Sequence, residues 1–355
     1  MGPLFMLFVG LGLTGLVLSD NNDDDDSGDS PPSDTDDERP SHEIVDGTLY
    51  FGDSTEGLDI DLSALPDEAD GIYEFVASDG DDTITGDPGE TGHGGTLILG
   101  AGDDIVEITS GFTTIAGGEG NDTISSSSTA GDASRTILGG PGDDILSGGS
   151  SLSVYGEEGN DTLDFYTTAM PFGSSGDGGP GDDLFEINYS PAPGDGYYTL
   201  GVGVAGGAGS DTFHLDIQDQ IGFDPFFFSE GYGYQVDADG ALTYDESSLG
   251  IIDFEPGSDH LILESTEGFE NFDLVEIELV EEEYRDYNRD GTYTTKTGTN
   301  VNLTFELKSG VGPYTTNEGT EFTSITSSIS MPNTTGISES DITVLLPGGE
   351  ALLVA

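Results

Sequence analysis

Seven aspartates recur at regular intervals through the middle of the chain, each close behind glycine. They are Asp82, Asp104, Asp122, Asp144, Asp161, Asp183 and Asp211, separated by steps of 22, 18, 22, 17, 22 and 28 residues. Carboxylate and backbone carbonyl oxygens are the hard ligands that Ca²⁺ prefers. Glycine permits positive φ and lets a loop pass close to an ion with no Cβ in the way. The spacing therefore predicts a row of calcium sites.

Each aspartate is the sixth residue of a nonapeptide, and the copies begin at residues 77, 99, 117, 139, 156, 178 and 206. The fourth residue is glycine in every copy. The eighth is always apolar: Ile84, Val106, Ile124, Leu146, Leu163, Phe185 and Phe213. A flexible Gly/Asp-rich linker has no need of an apolar residue at a fixed position. We therefore interpret residues seven to nine as a short strand whose eighth side chain faces inwards.

This nonapeptide resembles the G-G-x-G-x-D-x-U-x repeat of RTX (haemolysin-type) calcium-binding proteins, where U is a large apolar residue. The resemblance implies a β-roll in which each ion sits between loops of successive turns. Seven loops in one row then give at most six sites, and fewer where we expect the register to break between residues 183 and 211. The predicted metal ligands are the seven aspartates and the loop glycines Gly80, Gly102, Gly118, Gly120, Gly140, Gly142, Gly159, Gly179, Gly181, Gly207 and Gly209.

The segments between the nonapeptides supply the opposite half of each turn. Four of them read as strands, at residues 96–99, 113–116, 135–138 and 152–155, and loops such as 87–94 and 126–134 absorb the extra residues. The predicted fold is all-β, a parallel β-roll (β-solenoid) of Gly/Asp-rich nonapeptide repeats over residues 77–214. A β-rich lead-in over residues 43–76 caps its first turn, because a stacked repeat otherwise exposes its core.

Composition agrees with a fold that depends on metal. Six Lys and Arg stand against 71 Asp and Glu, giving a formal net charge of −65. Such a field repels nucleic acid and attracts cations. Without metal the acidic loops repel one another, whereas with Ca²⁺ the binding free energy becomes folding free energy. Cysteine is absent, which excludes disulfides, thiolate metal sites and cysteine nucleophiles.

Two segments precede the lead-in. Residues 1–18 form an apolar leader or anchor, because the uncharged run 4–18 is short for a membrane span of roughly 17–25 residues and has no Lys or Arg before it. Cleavage of an atypical signal peptide and an uncleaved membrane tether both remain open. Residues 19–42 are rich in Asp and Pro and are expected to be a disordered, solvated linker.

Residues 215–355 are predicted to be an aromatic cap followed by a β-rich region. The aromatic residues are Phe223, Phe226, Phe227, Phe228, Tyr232 and Tyr234. They would cover the last turn or form a platform on which sugars stack. Residues 250–263 read as the strand–turn–strand that closes an array of this kind.

Two further C-terminal segments leave alternatives open. Residues 286–291 match the start of an EF-hand loop, but the twelfth position is Thr297, so the segment is a hairpin turn or an extra calcium site. The closing residues 344–355 would be a last strand or, by the resemblance, an uncleaved type I secretion signal.

No H-E-x-x-H or G-x-S-x-G motif and no phosphate loop occurs, so we expect no enzymatic activity. The resemblance implies a secreted bacterial protein, extracellular or on the cell surface, that leaves through type I export machinery and folds on Ca²⁺. An adhesive or matrix role with a glycan or other surface partner would suit it. The alternative is a secreted carbohydrate-binding or carbohydrate-active protein that uses the array for export and stability.

Overall fold

The computed structural model describes residues 43–45, 47–51, 55–64, 74–86, 95–108, 112–126, 135–148, 152–165, 174–189, 202–217, 234–236, 240–244, 249–265, 271–287, 293–315 and 319–346. All of them lie in one compact unit, residues 39–355. The predicted leader or anchor and the acidic linker fall outside the described residues. Within the described part of the chain, no helix is long and apolar enough to cross a membrane.

Short strands build almost all of the described structure. The lead-in contributes β1 (Glu43–Val45), β2 (Thr48–Tyr50), β3 (Asp59–Asp61) and β4 (Glu74–Val76). The repeats contribute β5 (Thr83–Gly86), β6 (Gly95–Ala101), β7 (Ile105–Ile108), β8 (Phe112–Glu119), β9 (Thr123–Ser126), β10 (Arg135–Pro141), β11 (Ile145–Gly148), β12 (Leu152–Glu158), β13 (Thr162–Phe165), β14 (Ser175–Pro180), β15 (Leu184–Tyr189), β16 (Val202–Ala208) and β17 (Thr212–Ile217).

The C-terminal part adds ten strands to those of the repeats. They are β18 (Tyr234–Val236), β19 (Ala241–Tyr244), β20 (Leu249–Ile251), β21 (His260–Glu264), β22 (Phe272–Tyr287), β23 (Tyr293–Leu307), β24 (Tyr314–Thr315), β25 (Glu321–Phe322), β26 (Ser324–Met331) and β27 (Ile342–Leu345). Two 3₁₀ turns, Leu62–Ala64 and Glu339–Asp341, complete the regular structure of the described residues.

The strands of the repeats alternate between two parallel sheets, as a β-roll requires. The first sheet takes the even-numbered strands from β2 to β16 and then β20, whereas the second takes the odd-numbered strands from β3 to β17, then β21 and β27. Every neighbouring pair along these two runs is parallel, for example β10 with β12 and β11 with β13. The predicted parallel β-roll is confirmed. The four predicted half-turn strands lie in β6, β8, β10 and β12.

The interior is filled by apolar side chains from both sheets, among them a column of stacked residues from each. The eighth-position residues Ile84, Val106, Ile124, Leu146, Leu163, Phe185 and Phe213 are all fully buried, as predicted, and Leu261 continues their column. Leu97, Ile115, Ile137, Val154 and Val204 face them from the first sheet. Where that sheet carries Gly176, a Cβ would lie 2.7 Å from Phe165 Cζ and 3.2 Å from Phe185 Cε1. Two large rings therefore fill the volume left by the glycine.

The register does not break between residues 183 and 211, so that expectation was wrong. Strands β15 and β17 pair without a shift from Leu184↔Thr212 to Tyr189↔Ile217. The extra residues of this turn lie in the connection between β15 and β16, and they leave the stacking of the strands unchanged. Parallel strands can keep their register because the length of a connection outside the sheet does not alter the ladder of hydrogen bonds.

The roll continues past residue 214 and ends in an antiparallel sheet. Strands β20 and β21 form the predicted strand–turn–strand and stack on β16 and β17. Strand β26 then extends the first sheet and pairs with β23, which forms a long hairpin with β22. That hairpin runs through Tyr287↔Tyr293, so the flanks of the EF-hand-like segment are strands as predicted. Its residues 288–292, and Phe223 to Tyr232 of the aromatic segment, lie outside the described residues.

Candidate metal centre

The predicted aspartates form a continuous ladder along one side of the roll. The backbone N–H of each donates to Oδ1 of the aspartate one turn later, with N–O distances of 2.7–3.0 Å. The ladder runs Asp82, Asp104, Asp122, Asp144, Asp161, Asp183, Asp211 and Asp259, and all eight side chains are buried. The array therefore brings together every aspartate that the repeat pattern singled out.

The other carboxylate oxygen has no partner in the middle of the ladder. Oδ2 of Asp104, Asp122, Asp144, Asp161 and Asp183 is buried and makes no hydrogen bond. Leaving a buried charged oxygen without a partner costs far more free energy than a typical hydrogen bond contributes. Five such atoms in one row indicate a ligand that supplies positive charge.

The N-terminal end of the ladder is closed by the chain itself. Asp82 Oδ2 accepts from the N–H of Ser78 at 2.7 Å, and its Oδ1 accepts from Leu58 N and Ser78 Oγ, both at 2.7 Å. Ser78 occupies the second position of its nonapeptide, where four of the other copies have a predicted ligand glycine. Asp82 therefore keeps its place in the ladder but has hydrogen bonds to both oxygens.

The C-terminal end is closed in a similar way. Asp259 Oδ2 accepts from Glu255 N at 2.7 Å. In the same loop, Asp253 accepts from the backbone N–H of Gly206 and Gly207, which lie one turn earlier, at 2.9 and 3.0 Å. Backbone N–H groups therefore donate to the carboxylates at both ends of the ladder, whereas the aspartates in the middle keep one oxygen without a donor.

At four of the five unpartnered oxygens the first residue of the repeat is a glycine that leaves a space beside the oxygen, whereas at Asp104 that residue is Leu99. A Cβ added to Gly139 would overlap Asp144 Oδ2 and would lie 2.7 Å from the carbonyl oxygen of Gly156, one turn on. The same arrangement recurs at Gly117, Gly156 and Gly178. In these four turns a carboxylate oxygen and a carbonyl oxygen thus converge on one small cradle, which the glycine leaves open because it has no side chain.

The predicted ligand glycines have a packing role in the structure, and ligation of calcium by their carbonyls stays a prediction. Those at the second and fourth positions lie against the backbone of the preceding turn. A Cβ on Gly142 (φ +153°) would overlap the carbonyl oxygen of Gly120, and one on Gly140 (φ +121°) would overlap that of Gly118. These glycines allow neighbouring loops to stack closely, whereas the first-position glycines, which were not in the predicted set, border the cradle.

Burial raises the pKa of the six ladder carboxyls from Asp104 to Asp211. Desolvation is the largest cause, and neighbouring carboxylates add to it in all of them. The pKa is raised to about 7 at Asp104, Asp144 and Asp183, and to about 6 at Asp122, Asp161 and Asp211. These carboxyls resist ionisation because they are buried beside one another. A divalent cation bound next to them would stabilise the ionised form and lower their pKa towards the ordinary value.

Calcium fits this donor set. Among the described residues no three His, Cys, Asp or Glu side chains group closely enough to hold a metal by themselves. The cradles also present backbone carbonyl oxygens, which bind Ca²⁺ better than they bind softer or smaller divalent ions. The Oδ2 atoms of the five unpartnered aspartates and the carbonyls of the first-position glycines would hold the ions. Bound there, Ca²⁺ would neutralise the loops.

Asp259 is a ladder member that the sequence reasoning missed. It is the sixth residue of an eighth, degenerate nonapeptide, residues 254–262, with Gly257 at the fourth position and Leu261 at the eighth. The first two positions are Phe254 and Glu255 instead of glycine. A search that required only the fourth, sixth and eighth positions would have found it.

Comparison with known families agrees with the ladder. The family model for the RTX calcium-binding nonapeptide repeat (4 copies) matches residues 74–90, 108–128, 136–151 and 153–165. No curated protein and no solved structure matches the chain. The matched stretches contain Asp82, Asp122, Asp144 and Asp161, and the structure places four further aspartates in the same ladder. The chain is an RTX repeat protein, and its repeats are of the calcium-binding kind.

Proposed function

We propose that this protein is a non-enzymatic RTX protein that is exported unfolded, folds on Ca²⁺ outside the cell and acts in adhesion or in an extracellular matrix. The observation that carries the proposal is the row of five buried, unpartnered Oδ2 atoms. A roll with these oxygens ionised and unpaired is unfavourable, so the chain remains unfolded where free Ca²⁺ is scarce. Export channels pass unfolded chains, and Ca²⁺ outside the cell then drives folding.

The ladder also supports a definite number of ions. Asp82 and Asp259 have backbone hydrogen bonds to both oxygens, whereas five aspartates between them have one oxygen without a partner. We expect five tightly held ions, at Asp104, Asp122, Asp144, Asp161 and Asp183. Asp211, beside the Asp253 cap, would hold a sixth ion more weakly, in line with the sequence-based maximum of six.

The first test is a far-UV circular dichroism titration of the full chain with Ca²⁺ and, separately, with Mg²⁺. A cooperative gain of β signal is expected with Ca²⁺ and little change with Mg²⁺, because Mg²⁺ demands a small octahedral shell and dehydrates reluctantly. Calorimetric titration should give a stoichiometry of about five ions, as the unpartnered oxygens suggest. A chain that is folded in chelator and indifferent to Ca²⁺ would contradict the proposal.

Localisation needs a separate test. Immunoblotting of medium, surface-shaved cells and cytoplasm in the native host should find the protein outside the cytoplasm. The size of the mature protein would also show whether the apolar run 4–18 is retained as a tether or removed. Protein found only in the cytoplasm would contradict the export part of the proposal and leave calcium folding intact.

A further inference from the structure

The outer face of the first sheet carries two straight rows of side chains. The first row consists of hydroxyl side chains: Thr96, Thr114, Thr136, Ser153 and Ser175, paired in register from β6 to β14. The second row is apolar: Tyr50, Val76, Ile98, Ala116, Leu138 and Tyr155, paired in register from β2 to β12. We call the surface formed by these eleven residues the hydroxyl–apolar face.

This face is uncharged in a chain whose formal net charge is −65. No acidic or basic side chain interrupts either row between β6 and β12. Glu74 ends the hydroxyl row on β4, and Asp177 ends the apolar row on β14. The outer face of the second sheet differs, because Glu107, Asp164 and Glu186 project from its strands over the same turns.

The absence of charge restricts the partner. Nucleic acids, acidic polysaccharides and a second copy of this chain would all bring negative charge into a strongly negative field. A neutral ligand approaches without that cost. The face is also linear, since six strands spaced about 4.8 Å apart place Tyr50 and Tyr155 about 24 Å from each other.

The two rows offer the two kinds of contact that a sugar chain needs. Hydroxyl side chains donate and accept hydrogen bonds with sugar hydroxyls. Aliphatic side chains and tyrosine rings pack against the apolar C–H faces of pyranose rings. Tyr50 and Tyr155 are 38% and 39% exposed, so their rings are accessible at the two ends of the apolar row.

We propose that the hydroxyl–apolar face binds a linear, neutral polysaccharide. None of its eleven residues belongs to the aromatic segment around Phe226. It rests on the proposed function, because the two rows exist only when Ca²⁺ has folded the roll. It gives the adhesive role a ligand class, namely uncharged glycan chains of a surface or matrix.

The test uses the full chain in Ca²⁺ and measures its retardation in native gels that contain amylose, xylan, a β-1,3-glucan or, as the acidic comparison, alginate. We expect retardation by at least one neutral polymer and none by alginate. Leu138→Asp, which places a carboxylate in the apolar row, should weaken that binding at least tenfold, and Tyr155→Ala should weaken it severalfold. Ile145→Asp is the matched control, since Ile145 is 50% exposed on the second sheet in the same turn and should leave binding unchanged.

Circular dichroism in Ca²⁺ separates the possible failures. If the chain does not fold on Ca²⁺, the proposed function fails. If the folded chain binds none of the neutral polymers, or if Leu138→Asp folds and binds as well as the parent, the inference about the face is wrong and calcium folding stands. Dimerisation that Leu138→Asp abolishes in sedimentation, without glycan binding, would also overturn it in favour of self-association.

Discussion

In four of the repeats the fifth and sixth residues are both aspartate, and the two carboxylates have different roles. Asp143, at the fifth position, is exposed, and its Oδ1 accepts from the N–H of Asn160 at 2.8 Å. Asp144, at the sixth, is buried, and only its Oδ1 has a hydrogen bond, from Asp122 N. The fifth-position ladder joins loops through solvent-exposed hydrogen bonds, whereas the sixth-position ladder presents charge to the cradle.

This difference predicts opposite sensitivities for two chemically identical changes. Asp144→Asn keeps the Oδ1 acceptor but removes the charge beside the cradle, so the Ca²⁺ midpoint of folding should rise about tenfold, or about 1.4 kcal/mol. Asp143→Asn should shift it less than about twofold, because that carboxylate lies in water. Both midpoints come from the circular dichroism titration. Equal shifts in the two variants would mean that Asp144 is not a ligand.

Glu157 is strained in a position that other repeats give to glycine. Its φ is +77°, while Gly140 and Gly179 at the equivalent positions of neighbouring turns have φ of +121° and +107°. A residue with a Cβ is disfavoured there by about 1 kcal/mol. Glu157→Gly should therefore raise the free energy of unfolding in Ca²⁺ by about 1 kcal/mol.

Glu158→Gly provides the control for that prediction. It removes the same charge from the next residue of β12, which is exposed and not in the left-handed region. There glycine loses entropy without relieving strain, and stability should fall by about 0.5–1 kcal/mol. Chemical denaturation of the two variants measures both values, and the prediction fails if they change in the same direction.

At the scale of the strand, stability comes from a side chain inserted between two sheets. In each nonapeptide strand the eighth residue lies in the interior and the seventh lies on the outer surface, so consecutive residues occupy opposite environments. Leu146 is fully buried, whereas Ile145 beside it is 50% exposed. Both lie on β11 in the middle of the array, with strands on either side.

Truncation should therefore separate the two positions. Leu146→Ala leaves a cavity in a core only one side chain thick from each sheet, and we expect it to cost about 2–5 kcal/mol. Ile145→Ala removes an exposed side chain and should cost less than about 1 kcal/mol. Thermal unfolding in saturating Ca²⁺ measures both. A small loss for Leu146→Ala would mean that bound ions, and not the apolar column, hold the turns together.

At the scale of the whole molecule, protons and Ca²⁺ compete for the same carboxylates. In the metal-free roll, burial raises the pKa of Asp104, Asp144 and Asp183 to about 7, above the ordinary value of 3.8. The folded state then binds protons more tightly than the unfolded chain. The resulting stability is fully present below about pH 4 and is lost as the pH rises through about 7.

The β signal of the chain in chelator should accordingly be larger at about pH 5 than at about pH 8, because protonation of the ladder favours the metal-free roll. In Ca²⁺ the dependence has the opposite sign, because the ion must displace those protons, so the Ca²⁺ midpoint should fall over the same interval. A metal-free chain that becomes more stable as the pH rises would contradict this account. It would place the controlling titration outside the ladder.

Much of the architecture follows from local pattern. The eighth-position apolar residues predicted the interior column, and the glycine-aspartate loops predicted a stacked row, because both depend on spacing within one turn. The eighth loop begins with Phe254 and Glu255 and was not recognised, although Gly257, Asp259 and Leu261 keep the fourth, sixth and eighth positions of the repeat. The predicted break after residue 183 was wrong because the lengths of connections were taken as evidence about register, which strand pairing decides.

The sequence by itself determined that the chain is a β-roll with a row of aspartates, since a nine-residue pattern needs no distant contact to be recognised. Only the tertiary structure decided which carboxylates are available to an ion. Asp82 and Asp144 occupy the same position in the repeat, but Leu58 and Ser78 donate to the first and nothing donates to Oδ2 of the second. That distinction depends on the local geometry of each loop, since Ser78 belongs to the same repeat as Asp82, and loop geometry becomes visible only when the chain is folded.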